Sequence, residues 1–170
     1  MERRLNNGIT LIELMVALAI AAVMLMFALP AFNDFTAQRQ MASGANLVIG
    51  GINYARSEAA MQGQNVSLQA IDSSDGDDEW GPGFCVTLGD PGDCATPLNL
   101  FEATGAVTIN ATSAGLDGED NITFNANGMF IGGAANQIAV CGANADSDPG
   151  REIRISAIGR ASVQTLVCFP

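Results

Sequence analysis

The stretch N-N-G-I-T-L-I-E-L-M-V-A-L-A-I-A-A-V-M-L-M-F-A-L-P, residues 6–30, decides how the rest of the chain is read. Ile9 to Leu29 carries no basic side chain and would be about 31 Å long as an α-helix, enough to cross the hydrocarbon core of a bilayer. One residue is out of place there. Glu13 puts a carboxylate among apolar side chains, at a cost on the order of 2.5–3.5 kcal/mol at a helix centre. Such a group needs a partner. Gly8 stands five residues before it, and Arg3 and Arg4 lie further out, which marks this short end as cytoplasmic. The run is not an ordinary cleaved signal, because it is long for an apolar signal core and no A-x-A site follows it.

Pro30 ends the apolar run without having to end the helix. A proline inside a helix removes one hydrogen bond and bends the axis, so Pro30 is expected to be a kink. Beyond it Ala45, Val48, Ile49, Ile52, Ala55 and Ala59 recur at three- and four-residue spacing, an amphipathic stripe. Gly44, Gly50 and Gly51 are each expected to weaken that helix by about 1 kcal/mol relative to Ala. The second helical half should run over about 31–61 and stop at Gly63.

From residue 65 the periodicity changes to short β-like runs: 65–71, 84–88, 106–110, 121–124, 137–141, 151–156 and 162–169. Turn-rich segments separate them. One helix followed by several strands predicts an α+β domain with the helix laid on an antiparallel sheet. No internal repeat is visible.

The chain has 170 residues, 18 acidic against 7 basic, and every basic residue is Arg. Net charge −11 repels nucleic acid and anionic lipid over most of the surface. The absence of His excludes a Ser-His-Asp triad, a Cys-His pair and a His-ligated metal. Cys85, Cys94, Cys141 and Cys168 all lie beyond the apolar run, and no C-x-x-C occurs, which points to two disulfides in an oxidising compartment rather than to zinc. Of the three connectivities, Cys85–Cys94 with Cys141–Cys168 is favoured. The first closes a short Gly/Pro/Asp loop and the second ties down the last strand.

The motif G-I-T-L-I-E-L-M-V-A-L-A-I at 8–20 resembles the N-terminal signature of type IV pilins and type II secretion pseudopilins. I-N-Y-A-R-S-E-A-A-M-Q-G-Q-N-V-S-L at 52–68, I-T-F-N-A-N-G-M-F at 122–130 and R-E-I-R-I-S-A-I-G-R at 151–160 are similar to elements of the GspH/FimT class of minor pilins, as is Trp80 with Gly81 and Gly83. The resemblance implies a type IV pilin-like fold with four parts: a leader peptide at 1–8, a transmembrane half-helix at 9–30, an amphipathic half at 31–63 and a periplasmic β-rich domain at 64–170. A prepilin peptidase would cut after Gly8 and methylate the new amine of Ile9. The protein would be a single-pass subunit of a bacterial inner membrane, incorporated into a pilus or pseudopilus. It would be a structural minor subunit that initiates or caps assembly with other minor and major pilins or pseudopilins, with no catalytic residue, cofactor or metal. The family more often has Phe where this chain has Ile9.

On this reading Glu13 of one subunit pairs with the Ile9 amine of a neighbour, so the cost of burying the carboxylate is offset only in the assembled fibre. An alternative role is DNA binding during natural transformation, through Arg151, Arg154 and Arg160. Gly159-Arg160-Ala161-Ser162 keeps the first Arg of the G-R-x-R of DNA-binding FimT-type pilins and has Ser where the second would be. Without the leader the chain would carry 17 acidic and 5 basic residues, a weak footprint for phosphate contacts. Arg56 and Glu58 are expected either to pair on the helix surface or to contact a sheet loop. Trp80 either anchors its loop in the core or contacts a partner, and the core is the favoured reading. Asp72, Asp75, Asp77, Asp78 and Glu79 read as a solvated loop, since their spacing does not match a calcium-binding loop.

Overall fold

The computed structural model describes residues 9–71, 80–89, 94–102, 107–113, 116–117, 121–132, 136–142 and 149–168, without the side chains of 28–31, 112–113 and 116–117. The leader with Gly8 and the acidic loop from Asp72 to Glu79 lie outside the described residues. The chain divides into two compact units, residues 1–37 and 38–170.

A single helix, α1 (Leu11–Gln62), runs through Pro30, whose side chain is not among those described. It ends where the sequence predicts. Gly63 adopts φ +66° and its N–H donates to the Ala59 carbonyl at 3.0 Å, closing the last turn in the left-handed conformation that glycine adopts without strain. No single helix among the described residues is long and apolar enough to cross a membrane; Leu11–Phe27 and Phe32–Gln62 meet that criterion only when taken together.

Among the described residues ten strands follow: β1 (Val66–Ala70), β2 (Gly83–Leu88), β3 (Asn99–Glu102), β4 (Val107–Ser113), β5 (Leu116–Asp117), β6 (Asn121–Phe124), β7 (Phe130–Gly132), β8 (Gln137–Gly142), β9 (Pro149–Ile155) and β10 (Ala161–Val167). They form two five-stranded sheets rather than one, ordered β3-β2-β1-β6-β7 and β10-β9-β8-β4-β5, with every paired neighbour antiparallel. In the first sheet Leu68 stands opposite both Val86 and Ile122. In the second, Ile138 stands opposite both Ala111 and Ile153. All six are buried, so each sheet presents an apolar row to one core.

That core is closed by α1. Met41, Ala45, Val48, Ile52, Ala55 and Ala59 are buried at helical spacing, while Ile49 is only partly covered. Two of the three helix glycines have a packing role that composition does not reveal. A Cβ on Gly44 would stand 3.2 and 3.3 Å from Val140 and Val107 of the second sheet. A Cβ on Gly51 would overlap the Phe84 ring of the first. They let the helix backbone approach both sheets; Gly50 is exposed with nothing near it. Trp80 is fully buried, its ring 5.6 Å from that of Phe84 and its backbone N–H donating to the Ile109 carbonyl of the other sheet at 3.2 Å. It is a core residue, not a surface contact.

Candidate functional site

At the start of α1, Thr10 accepts a hydrogen bond from the Glu13 N–H on its Oγ1 at 3.3 Å, and its carbonyl accepts from Leu14 N–H at 3.2 Å. Thr10 is therefore the helix N-cap and Glu13 the third residue of the first turn, the T-x-x-E arrangement that satisfies helix-end donors. The positive end of the helix dipole favours a carboxylate there. Glu13 thus has a local reason to stand at this position, legible from the spacing of T-L-I-E. The residues after it have no local partner. From Leu11 to Phe27 every large apolar side chain is more than half exposed, on all sides of the helix. Ile9, which precedes the cap, is exposed as well.

Among the described residues of 38–170, two hairpin turns and one helix residue make a hydrogen-bonded polar site. The β6–β7 turn is F-N-A-N-G-M (124–129) and the β9–β10 turn is I-S-A-I-G-R (155–160). They are built alike. Gly128 N–H donates to Asn125 O and Gly159 N–H to Ser156 O, both at 2.7 Å, and both glycines have positive φ, +69° and +75°. Asn125 Oδ1 accepts from Asn127 and Met129 N–H; Ser156 Oγ accepts from Arg160 N–H at 3.1 Å. The turns are joined across the two sheets by Phe130 N–H donating to Ala157 O at 3.2 Å. Arg56 of α1 holds both: its Nε donates to Gly128 O at 3.1 Å and its Nη2 to Ile158 O at 3.3 Å. Any side chain at Gly159 would strike Gly128 O and the Arg56 guanidinium. Arg56 therefore contacts sheet loops, and Glu58 turns instead to Gln62, which donates to it at 3.3 Å, and to Tyr54. Burial first, and then the charge and hydrogen bond of Glu58, hold the Tyr54 phenol above its ordinary pKa.

The three C-terminal arginines do not converge. Arg151 pairs in register with Val140 and shares its strand face with Ile153 and Ile155, the core-facing side of β9; it lines a pocket of about 170 Å³ with Gln38, Met41, Pro149, Gly150 and Thr165. Arg154 is on the opposite face, where its Nε and Nη2 donate to the two carboxylate oxygens of Glu152 at 2.9 and 3.2 Å, a pairing that raises its pKa. Arg160 sits in the second turn with its side chain exposed. An odd spacing on a strand separates 151 from 154 by construction.

Cys85 is bonded to Cys94 and Cys141 to Cys168, with Cα separations of 5.8 and 6.0 Å. The second bridge passes over Gly150 of β9, where a Cβ would overlap Cys168 Sγ. Among the described residues no group of three or more His, Cys, Asp or Glu is placed to hold a metal.

Residues 44–159 match the family described as type II transport protein GspH, and residues 3–29 match the prokaryotic N-terminal methylation motif. The chain is 29% identical over 152 residues to a fimbrial protein of Dichelobacter nodosus, covering 81% of this chain and 92% of that one. It is 46% identical over 48 residues to the type IV major fimbrial protein FimA of the same organism, 28% of this chain and 30% of that one. Its fold is similar to the crystal structure of the type IV minor pilin FimU of Pseudomonas aeruginosa strain PAO1, with TM-score 0.60, 29% identity, and coverage of 76% of this chain and 92% of that one.

Proposed function

The chain belongs to the GspH family of type II transport proteins, and we propose that it is a minor pilin or pseudopilin that helps initiate or cap assembly of a periplasmic fibre. It is type IV pilin-like in sequence and fold. In this reading residues 1–8 are a leader, prepilin peptidase cuts after Gly8 and methylates Ile9, and residues 9–30 anchor the subunit in the inner membrane with the rest in the periplasm. Pro30 bends the helix where it leaves the bilayer. The subunit catalyses no reaction; it assembles with other pilins or pseudopilins by lateral packing of their helices.

The observation that carries this reading is the helix from Leu11 to Phe27, apolar and exposed on every side, with one carboxylate in its first turn. Exposed apolar surface on that scale needs lipid or neighbouring helices. Inside such a bundle Glu13 needs a cation, and a processed chain supplies one as the Ile9 amine. The test is mass spectrometry of the protein recovered from membranes and from sheared fibres. The expected form in the fibre begins at an N-methylated Ile9; a fibre-borne chain that still begins at Met1 would overturn the proposal.

DNA uptake is the second reading. Arg160 favours it, while Arg154 is engaged by Glu152 and Arg151 lies on the other face of β9. A gel shift at low salt, repeated with Arg160→Ala, separates the two: a shift that depends on Arg160 supports DNA binding.

A further inference from the structure

The outer strands of the two sheets are not alike. β3 has four residues and ends in the charged Glu102, β5 has two residues, and β7 has three, with its Phe130 N–H already donated to Ala157. β10 is longer and barer. Its seven residues, A-S-V-Q-T-L-V, pair with β9 in unbroken register from Ala161 to Val167 and include no charged side chain and no proline. Among the described residues no strand pairs with its other side. Sheets commonly guard such an edge with a charge, a proline or a bulge, and β10 has none of these.

The groups that this edge offers follow from the ladder. Ile155 N–H donates to Asn136 O at 2.8 Å, so alternation along β9 turns the main-chain groups of Ile155, Ile153 and Arg151 towards β8 and those of Arg154, Glu152 and Gly150 towards β10. Their partners Ser162, Gln164 and Leu166 are thereby paired. Val163, Thr165 and Val167 turn their N–H and C=O groups outward. The side chains of these three lie on the same side of the sheet as Ile153, and all three are exposed, Val163 by 40% and Val167 by 53%. Thr165 stands opposite Arg151, and both line the pocket that Gln38 and Met41 of α1 close from the other side. Arg151 is exposed and makes no ion pair among the described residues. Cys168, bonded to Cys141 of β8, ties down the end of the edge, so its groups are aligned before anything binds them.

We propose that the free edge of β10 accepts an extended segment of a different fibre subunit as an added antiparallel strand, and that Arg151 selects a segment with an acidic residue opposite Thr165. The proposal rests on the reading of the chain as a fibre subunit. Main-chain hydrogen bonds to Val163, Thr165 and Val167 supply affinity without regard to sequence, and the side chains beside them supply the choice. The residue opposite Thr165 would stand two strand spacings from Arg151, about 10 Å between Cα atoms, within the joint reach of an arginine and a glutamate. Apolar residues two positions to either side of that carboxylate would cover Val163 and Val167. The partner segment therefore reads apolar-x-acidic-x-apolar. A subunit that accepts one strand and returns none makes a contact that does not repeat, as a subunit at the start or end of a fibre requires.

The probe is a dye-labelled peptide, Thr-Val-Thr-Glu-Thr-Val-Thr with blocked ends, titrated with the detergent-solubilised full chain and read by fluorescence anisotropy. It should bind, and the same peptide with Lys in place of Glu should bind about tenfold more weakly. Arg151→Glu should reverse that order. Thr165→Pro removes an outward N–H and spares the ladder to β9, so it should abolish binding while the urea midpoint read from Trp80 stays in place. N-methylating the two valines and the glutamate of the peptide blocks the same hydrogen bonds without touching the chain, and should abolish binding too. No binding of the Glu peptide, equal binding of the Lys peptide, or binding that survives N-methylation overturns the edge site. In cells, a photoreactive benzophenone residue at position 163 should cross-link the chain to a different subunit in the fibre fraction. Chains that reach the fibre and cross-link only to their own copies, or to nothing, overturn the partner alone. Chains that never reach the fibre overturn the subunit reading, and with it the partner, while the peptide titration still decides the edge.

Discussion

Between Leu11 and Phe27 every large apolar side chain of α1 is more than half exposed, whereas between Met41 and Ala59 the same helix buries Val48, Ile52, Ala55 and Ala59 completely. The two stretches differ in how far round the helix their apolar residues extend and in where the partners of those residues are. The second stretch carries one stripe, because two sheets from the same chain cover one side of it. The first is apolar all round, which no single-chain partner satisfies and a bilayer or helix bundle does. One helix therefore serves folding at one end and, in the proposed fibre, assembly at the other.

The largest expected effect that separates them is a pair of truncations. Ile52→Ala should destabilise the folded domain by about 2–5 kcal/mol, and Leu18→Ala should change it by less than about 0.5 kcal/mol. Fluorescence of Trp80, the one tryptophan and fully buried, reads both in urea titrations of the detergent-solubilised chain. Equal losses would break the comparison. Arg56→Ala comes next. Removing two charge-assisted hydrogen bonds to turn carbonyls should cost about 2–3 kcal/mol in the same titration.

The helix glycines sharpen it further. Gly51→Ala must displace the Phe84 ring and should cost about 1–3 kcal/mol despite the better helix former. Gly50→Ala, one residue away and in open space, should gain about 0.5–1 kcal/mol. Opposite signs from adjacent glycines would establish that close approach to the sheet, not helix propensity, decides residue 51.

The smallest effect is a titration. Burial, then Glu58, raises the pKa of Tyr54 above the ordinary tyrosine value of 10.0. A raised folded-state pKa means that the contribution is intact below the unfolded value and is lost as the pH rises through the folded one. Tyr54 is the chain's one tyrosine, so phenolate absorbance reports it alone. The folded chain should titrate at higher pH than the urea-unfolded chain, and Glu58→Gln should remove part of the difference.

The long helix, its stop at Gly63 and the inward stripe were legible because three- and four-residue periodicity survives in a helix with one covered side. Strands β3, β5 and β7 were not, since four, two and three residues are too few for alternation to register, and all three lie at or beside sheet edges. The split into two sheets depends on pairings distant in sequence, such as β1 with β6, which no local pattern encodes. Arg56 was visible as a motif residue, but its partners are backbone carbonyls, which carry no side-chain signature. The Thr10–Glu13 cap and the separation of Arg151 from Arg154 were both readable from spacing alone, the first by the three-residue offset of a capped turn and the second by the two-residue period of a strand.

The central claim is that the Glu13 charge acts between subunits rather than within one. Glu13→Gln keeps the size and polarity of the side chain and the backbone N–H that Thr10 caps, but cannot ion-pair with an amine. Fractionating cells that carry this variant measures leader removal, membrane content and fibre content together. The account predicts a processed, membrane-held chain that is depleted from the fibre. Glu13→Gln incorporated at the level of the native chain would contradict it.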